Sequence, residues 1–310
     1  MRRLAGRPRR ALLALLAAVG LAFAAVAIAD TISGTSSNDR LDGTSGEDRI
    51  TGGSGDDVIN GLGSNDVLDG SGDSDTIDGG EGSDTIYGAN CRRGQLGRIC
   101  DNSGNDTLRG GPGDDEIRGN QCLLVDCTGD PFIGLDSVLE GGPGNDRLTS
   151  ADGNDRLDGG DGNDKLRGLL GDDRHTGGEG NDLLRGGEGR DSLLAGAGTD
   201  RLWGQAGDDG LNGDAGSDRL YGGAGNDGLT GGAGTDRLWG EDGTDSLDGG
   251  DGADRLNGGH GKDRLLGAAG NDRILARDKT RDVVRCGPGR DVAIVDRGDS
   301  VSGCESVSVR

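Results

Sequence analysis

Apolar side chains are sparse along this chain and arrive at a fixed interval. From Asp146 to Asp272 an aspartate returns every ninth residue without a slip, at fifteen successive positions. Two residues after these aspartates stands a single leucine, as at Leu148, Leu157, Leu166, Leu184, Leu193, Leu202 and Leu211. An earlier block, Gly34 to Tyr87, keeps the same phase with Asp39, Asp48, Asp57, Asp66, Asp75 and Asp84. The six residues ending in each aspartate read GGxGxD, as in GGDGNDKLR (Gly159–Arg167), GGEGNDLLR (Gly177–Arg185) and GGAGNDGLT (Gly222–Thr230). Three glycines and no 3.6-residue period rule out a helix and predict a tight turn. The remaining three residues, x-Leu-x, predict a minimal strand with one inward side chain. Repeats this short stack into a solenoid, so the predicted fold is an all-β solenoid with a thin leucine core.

The register breaks twice. Gly88–Arg109 and Gly119–Glu140 are 22 residues each where nine would continue the coil. The excess, residues 88–100 and 119–131, is read as two loops extruded from one edge. After Leu275 one extra residue enters before Asp282 and Asp291 resume the step. The expected organisation is a leader at 1–29, an N-terminal cap with degenerate repeats at 30–51, a β-roll with insertions at 52–140, a regular β-roll at 141–275 and a C-terminal cap at 276–310. In GLGSNDVLD and GSGDSDTID, residues 61–78, the glycines are displaced, so these turns are set apart from the metal-binding set.

Composition narrows the function. Of 310 residues 68 are glycine and only 2% are aromatic, which leaves little to bury. One leucine per nine residues does not offset the backbone entropy of ordering them, so something besides the core must hold the coil. The net charge is −23, and removing Arg2, Arg3, Arg7, Arg9 and Arg10 with the leader makes it −28. Such a chain repels itself unless it binds cations, and nucleic acid is excluded as a partner. Arg2–Arg10 followed by the uncharged Ala11–Ala29 and a small-x-small site reads as a signal peptide, which predicts a secreted or cell-surface protein with no membrane insertion after cleavage. An uncleaved anchor is the competing reading. Six cysteines in an exported chain predict disulfides, and proximity favours Cys91–Cys100, Cys122–Cys127 and Cys286–Cys304.

Carboxylates at fixed spacing, in turns whose backbone carbonyls point inward, form a hard-oxygen site suited to Ca²⁺. In these motifs residues 34–275 resemble the RTX, or haemolysin-type, calcium-binding nonapeptide family. The resemblance implies a right-handed parallel β-roll holding several Ca²⁺ between turns. It implies ligands Asp164, Asp182, Asp200, Asp218, Asp236, Asp254 and Asp272 on one edge. On the other edge it implies Asp155, Asp173, Asp191, Asp209, Asp227, Asp245 and Asp263, with Asp57, Asp84, Asp115 and Asp146 completing the set. Loop glycines such as Gly160, Gly162, Gly178, Gly180, Gly223, Gly225, Gly232 and Gly234 would supply carbonyls. The chain has neither HExxH nor a nucleophile elbow, so no catalytic residue is assigned and it is read as a non-enzyme. His175, where a buried leucine belongs, is read as a tolerated core defect or, alternatively, a ligand or pH-sensitive group.

If two repeats make one coil, residues eighteen apart share a face. One face then carries Arg147, Lys165, Arg201, Arg219, Arg237, Arg255 and Arg273 beside Arg167, Arg185, Trp203, Tyr221 and Trp239. The other carries Ser192, Gly210, Gly228 and Ser246 with Leu194, Asn212, Thr230 and Asp248. The expected function is calcium binding in a structural or adhesive extracellular role. The alternative is a module that binds cell-surface polysaccharide or another protein chain through Arg201, Trp203, Arg219, Tyr221, Arg237 and Trp239. Against both stands internal use of that face, with guanidinium groups stacked on the rings.

Overall fold

The computed structural model describes residues 29–89, 105–120 and 136–309. The leader up to residue 28 and the cysteines Cys91, Cys100, Cys122 and Cys127 lie outside the described residues. The described chain forms two parallel sheets of fifteen and fourteen strands, termed sheet I and sheet II, and contains no helix. Consecutive strands alternate between the sheets. Leu202 pairs with Leu220 and Leu220 with Leu238, eighteen residues apart, so one coil is two nonapeptides and the solenoid has about 14 coils.

The strands are longer than x-Leu-x. Arg201–Ala206 and Gly210–Gly216 run into the first residues of the following repeat. Successive turns lie in register, so their amides continue the ladder: the Gly162 N–H donates to the Glu179 carbonyl at 2.6 Å and Gly207 to Ala224 at 2.8 Å. Turn backbone stacked on identical turn backbone is counted as strand. The turn itself requires positive φ at Gly160 (100°) and Gly162 (141°). Where the second glycine is missing the conformation persists, with φ 83° at Leu62 and 85° at Gln205.

The core is a single column built from two facing files of side chains, one from each sheet. Ile50, Ile59, Leu68, Ile77, Ile86 and Leu108 through Leu265 and Ile274 are at most 2% exposed. His175 stands in this column between Leu157 and Leu193, 2% exposed, with neither ring nitrogen hydrogen-bonded. Burial pushes its pKa down to about 3, so it is a neutral, unsatisfied guest in an apolar stack. That placement fits a core defect. Replacing it is expected to stabilise: His175→Leu should raise the calcium-loaded chain's unfolding free energy by about 1–3 kcal/mol, the cost of an unsatisfied buried polar group. Urea titration in calcium measures it.

Both insertions leave from the same edge on successive coils. Thr85–Ala89 and Glu116–Asn120 of sheet I each precede the break, and the pairing step there is 31 residues, as from Thr76 to Thr107 and from Thr107 to Val138. Near the C-terminus the step becomes 19, from Arg264 to Val283. Cys286 and Cys304 are joined, with Cα atoms 5.1 Å apart, close to the spacing of adjacent strands.

Candidate metal sites along the two edges

Each coil has two turns, and each turn brings one aspartate inward. Turns from sheet I to sheet II stack into a first edge containing Asp155, Asp173, Asp191, Asp209, Asp227, Asp245 and Asp263. Turns in the other direction form a second edge containing Asp146, Asp164, Asp182, Asp200, Asp218, Asp236, Asp254 and Asp272. These carboxylates are 0–3% exposed. The two oxygens do different things. Oδ1 accepts the backbone N–H of the aspartate one coil earlier: Asp182 donates to Asp200 at 2.7 Å, Asp200 to Asp218 and Asp218 to Asp236 at 2.8 Å. Among the described residues Oδ2 has no hydrogen-bond partner at 22 aspartates, from Asp57 to Asp291.

A buried carboxylate oxygen without a donor is costly unless a cation reaches it. The surroundings suit one. A Cβ placed on Gly159 would overlap Oδ2 of Asp164 and the carbonyl oxygen of Gly177 in the next coil; Gly222 stands likewise against Asp227 and Gly240. Where glycine opens the repeat it thus leaves a gap toward which the carboxylate and, in most coils, a carbonyl of the next coil converge; Ala195 before Asp200 and Cys286 before Asp291 fill that position with a buried side chain. Among the described residues no three side chains of His, Cys, Asp or Glu gather as a cluster. The donors are therefore carboxylates plus backbone carbonyls, the hard set that Ca²⁺ prefers.

Electrostatics agree. Burial first, then neighbouring carboxylates, push Asp75 and Asp173 up to about 8 and Asp146, Asp182, Asp209, Asp218 and Asp245 up to about 7. A raised pKa in the folded chain means that protons favour the metal-free fold. Its contribution is complete below the unfolded pKa and is lost as pH rises through about 6 to 8. The calcium-free chain should accordingly show more strand signal by circular dichroism near pH 5 than near pH 8, and the calcium midpoint should move to higher concentration as pH falls.

Four other places depart from the pattern. Asp39 and Asp48 of the N-terminal cap satisfy Oδ2 internally: Thr35 donates N–H and hydroxyl to Asp39 at 2.6 and 2.8 Å, and Thr44 does the same for Asp48 at 2.5 and 3.0 Å. Ser137 stands where an aspartate would continue the first edge. Ser150 fills the first-glycine gap before Asp155 and donates its hydroxyl to the Gly168 carbonyl at 2.8 Å. Conversely, Asp66 and Asp75 in the displaced-glycine repeats, and Asp106 and Asp291, carry the same unpartnered Oδ2 as the expected ligands. Positive φ at Leu62, Ser64, Ser71 and Asp73 keeps the turn without glycine.

Comparison with protein families matches the RTX calcium-binding nonapeptide repeat at residues 27–59, 60–90, 101–121, 140–174 and 176–211, and in overlapping copies from 203 to 274. The chain belongs to the RTX calcium-binding nonapeptide repeat family. Comparison with curated proteins found no match. RTX repeats bind multiple Ca²⁺ in a β-roll, and the edge chemistry of this RTX chain fits that ion.

The RTX roll also sets out the Arg/Trp face. Trp203 and Tyr221 stack with centroids 5.4 Å apart and planes 7° apart, Tyr221 and Trp239 at 4.5 Å and 2°. The Arg185 guanidinium lies 5.2 Å from the Trp203 ring centre. Both faces of Tyr221 and both of Trp203 are thus used internally, as is one face of Trp239, which leaves little of the flat platform that stacking on a sugar ring needs. The opposite face is less neutral than expected, since Arg156, Arg174 and Arg264 share its outward positions, and Leu183 interrupts the cationic column.

Proposed function

We propose that this chain is an exported protein whose β-roll folds on calcium and serves a structural or adhesive role outside the cell. Asp57, Asp84, Asp115, Asp146 and the two edge series would supply the carboxylate ligands, and Asp66, Asp75, Asp106 and Asp291 join them. Calcium would supply charge neutralisation between coils; the chain would supply the spacing. The observation that carries this reading is the 22 buried Oδ2 atoms without a donor, in two axial files. No catalytic role is assigned, because these carboxylates are committed to the edges. The extracellular part rests on the leader sequence at 1–29.

The test is one preparation. Expressed with its own leader, the chain should be recovered from the medium beginning at Asp30. Bound calcium, counted by atomic emission after gel filtration, should fall in Asp218→Asn with Asp236→Asn relative to the parent. Unchanged metal content would remove the edge aspartates from the ligand set. A second reading, ligand binding by the Arg/Trp face, is favoured by the charge of that face.

A further inference from the structure

The outward positions that flank the buried leucine on sheet I, from Arg147 to Leu275, hold nine cationic side chains and no carboxylate. The matching positions on sheet II, from Arg156 to Leu266, hold three arginines and two aspartates. In a chain of net charge −23 this separation is an unusual arrangement. At its centre Arg201, Arg219, Arg237, Arg255 and Arg273 are register partners on five successive strands, about 4.8 Å apart. None of the five makes an ion pair among the described residues, although other surface arginines do, as Arg156 does with Asp158.

Beside this column stands the file of stacked rings, and beyond the rings a groove of about 710 Å³ runs along the first edge. Gln205, Glu241, Asp242 and Asn257 line it, together with His260, whose Nδ1 is 2.7 Å from Asp242 Oδ1. Gln205 and Glu241 hold positive φ, 85° and 77°, at a turn position where their neighbour Gly223 is glycine. Long polar side chains thus replace glycine on both sides of Gly223, against conformational preference, along this groove.

We propose that this face binds a linear acidic polysaccharide lying along the solenoid axis, an inference that rests on the ligand-binding reading of the face. The unpaired arginine column takes the carboxylates, since guanidinium forks match carboxylate geometry. The ring file forms a rigid rail beneath the chain. The acceptors Glu241 and Asp242 and the amides Gln205 and Asn257 take the sugar hydroxyls. A nucleic acid offers phosphates to the arginines but sets its backbone against the groove carboxylates; a sugar acid satisfies both strips. Because arginines repeat on every coil, a polymer is held at many points rather than one.

The test uses the calcium-loaded full chain, reading the fluorescence of its two tryptophans, Trp203 and Trp239. Three probes are compared: galacturonate oligomers too short to gel with calcium, the same oligomers methyl-esterified, and a single-stranded oligodeoxynucleotide of equal charge. The acidic oligomer should bind, with affinity falling as salt rises, and the ester should bind roughly tenfold more weakly or worse. Arg219→Glu with Arg237→Glu should lose at least that factor, while Arg174→Glu on sheet II should not. Equal binding of the ester, tighter binding of the DNA, or an unchanged Arg219/Arg237 double variant would overturn the proposal. Circular dichroism on the same samples separates the two readings: retained strand signal without binding counts against this face, and lost strand signal counts against calcium-driven folding.

Discussion

Addition of a chelator to the purified chain is expected to abolish most of its β-strand circular dichroism, and restored calcium is expected to return it. Each edge is a file of buried carboxylates separated by one strand spacing, with Oδ1 committed to the neighbouring coil and Oδ2 to nothing. At neutral pH these groups meet a conflict: ionised, they are desolvated beside like charges; protonated, they hold protons that water would take. Calcium resolves the conflict, and the leucine column alone does not. Each occupied site adds about 2.7 kcal/mol when free ion stands at 100 times the dissociation constant. With sites coupled through shared coils, the transition should be steep, with a midpoint near 10⁻⁴–10⁻³ M, roughly the range of extracellular calcium modules. A strand signal that survives EGTA would mean that the apolar column and backbone ladders suffice.

The second large effect is expected from a glycine. Gly222→Val puts side-chain atoms where Asp227 Oδ2 and the Gly240 carbonyl converge, so it overpacks the turn and displaces a ligand pair together. Overpacking alone costs about 1–3 kcal/mol, and the loss of calcium contacts adds to it. The calcium midpoint should rise several-fold and the transition should broaden, because a blocked coil divides the stack. The comparison is Gly228→Val, six residues on, where an added Cβ meets nothing closer than 3.9 Å and φ is ordinary. There valine should be neutral or slightly favourable, as a β-branched residue on an outward strand position. Equal effects at the two glycines would show that the gap at Gly222 has no special role.

The period carried most of the fold. An aspartate every nine residues implied turns, an eighteen-residue coil and two files of carboxylates; the expected Cys286–Cys304 pair does join adjacent coils, although the local step there is 17 residues, from Val283 to Ser300. Less legible were features that depend on atoms rather than spacing. The threonines at 35 and 44 look like lost glycines, yet their hydroxyls supply the donors that Asp39 and Asp48 need. Leu62 and Ser71 look like broken turns, yet stacking on neighbouring coils holds them at positive φ. Ring orientation was likewise hidden: the spacing put Trp203, Tyr221 and Trp239 in one file, but their mutual stacking decides what they can offer a ligand.

Ser137 carries a consequence for cooperativity. Along the first edge Asp75 donates to Asp106, and the next carboxylate is Asp155, because Ser137 donates onward but presents no Oδ. The second edge runs unbroken through Asp84, Asp115 and Asp146. A solenoid behaves as a one-dimensional lattice in which order spreads by nearest-neighbour coupling. In such a lattice a missing bond on one of two rails acts as a domain wall. Order that grows from either end crosses this coil on a single rail, so the wall divides the molecule into a short block before Ser137 and a long block after it.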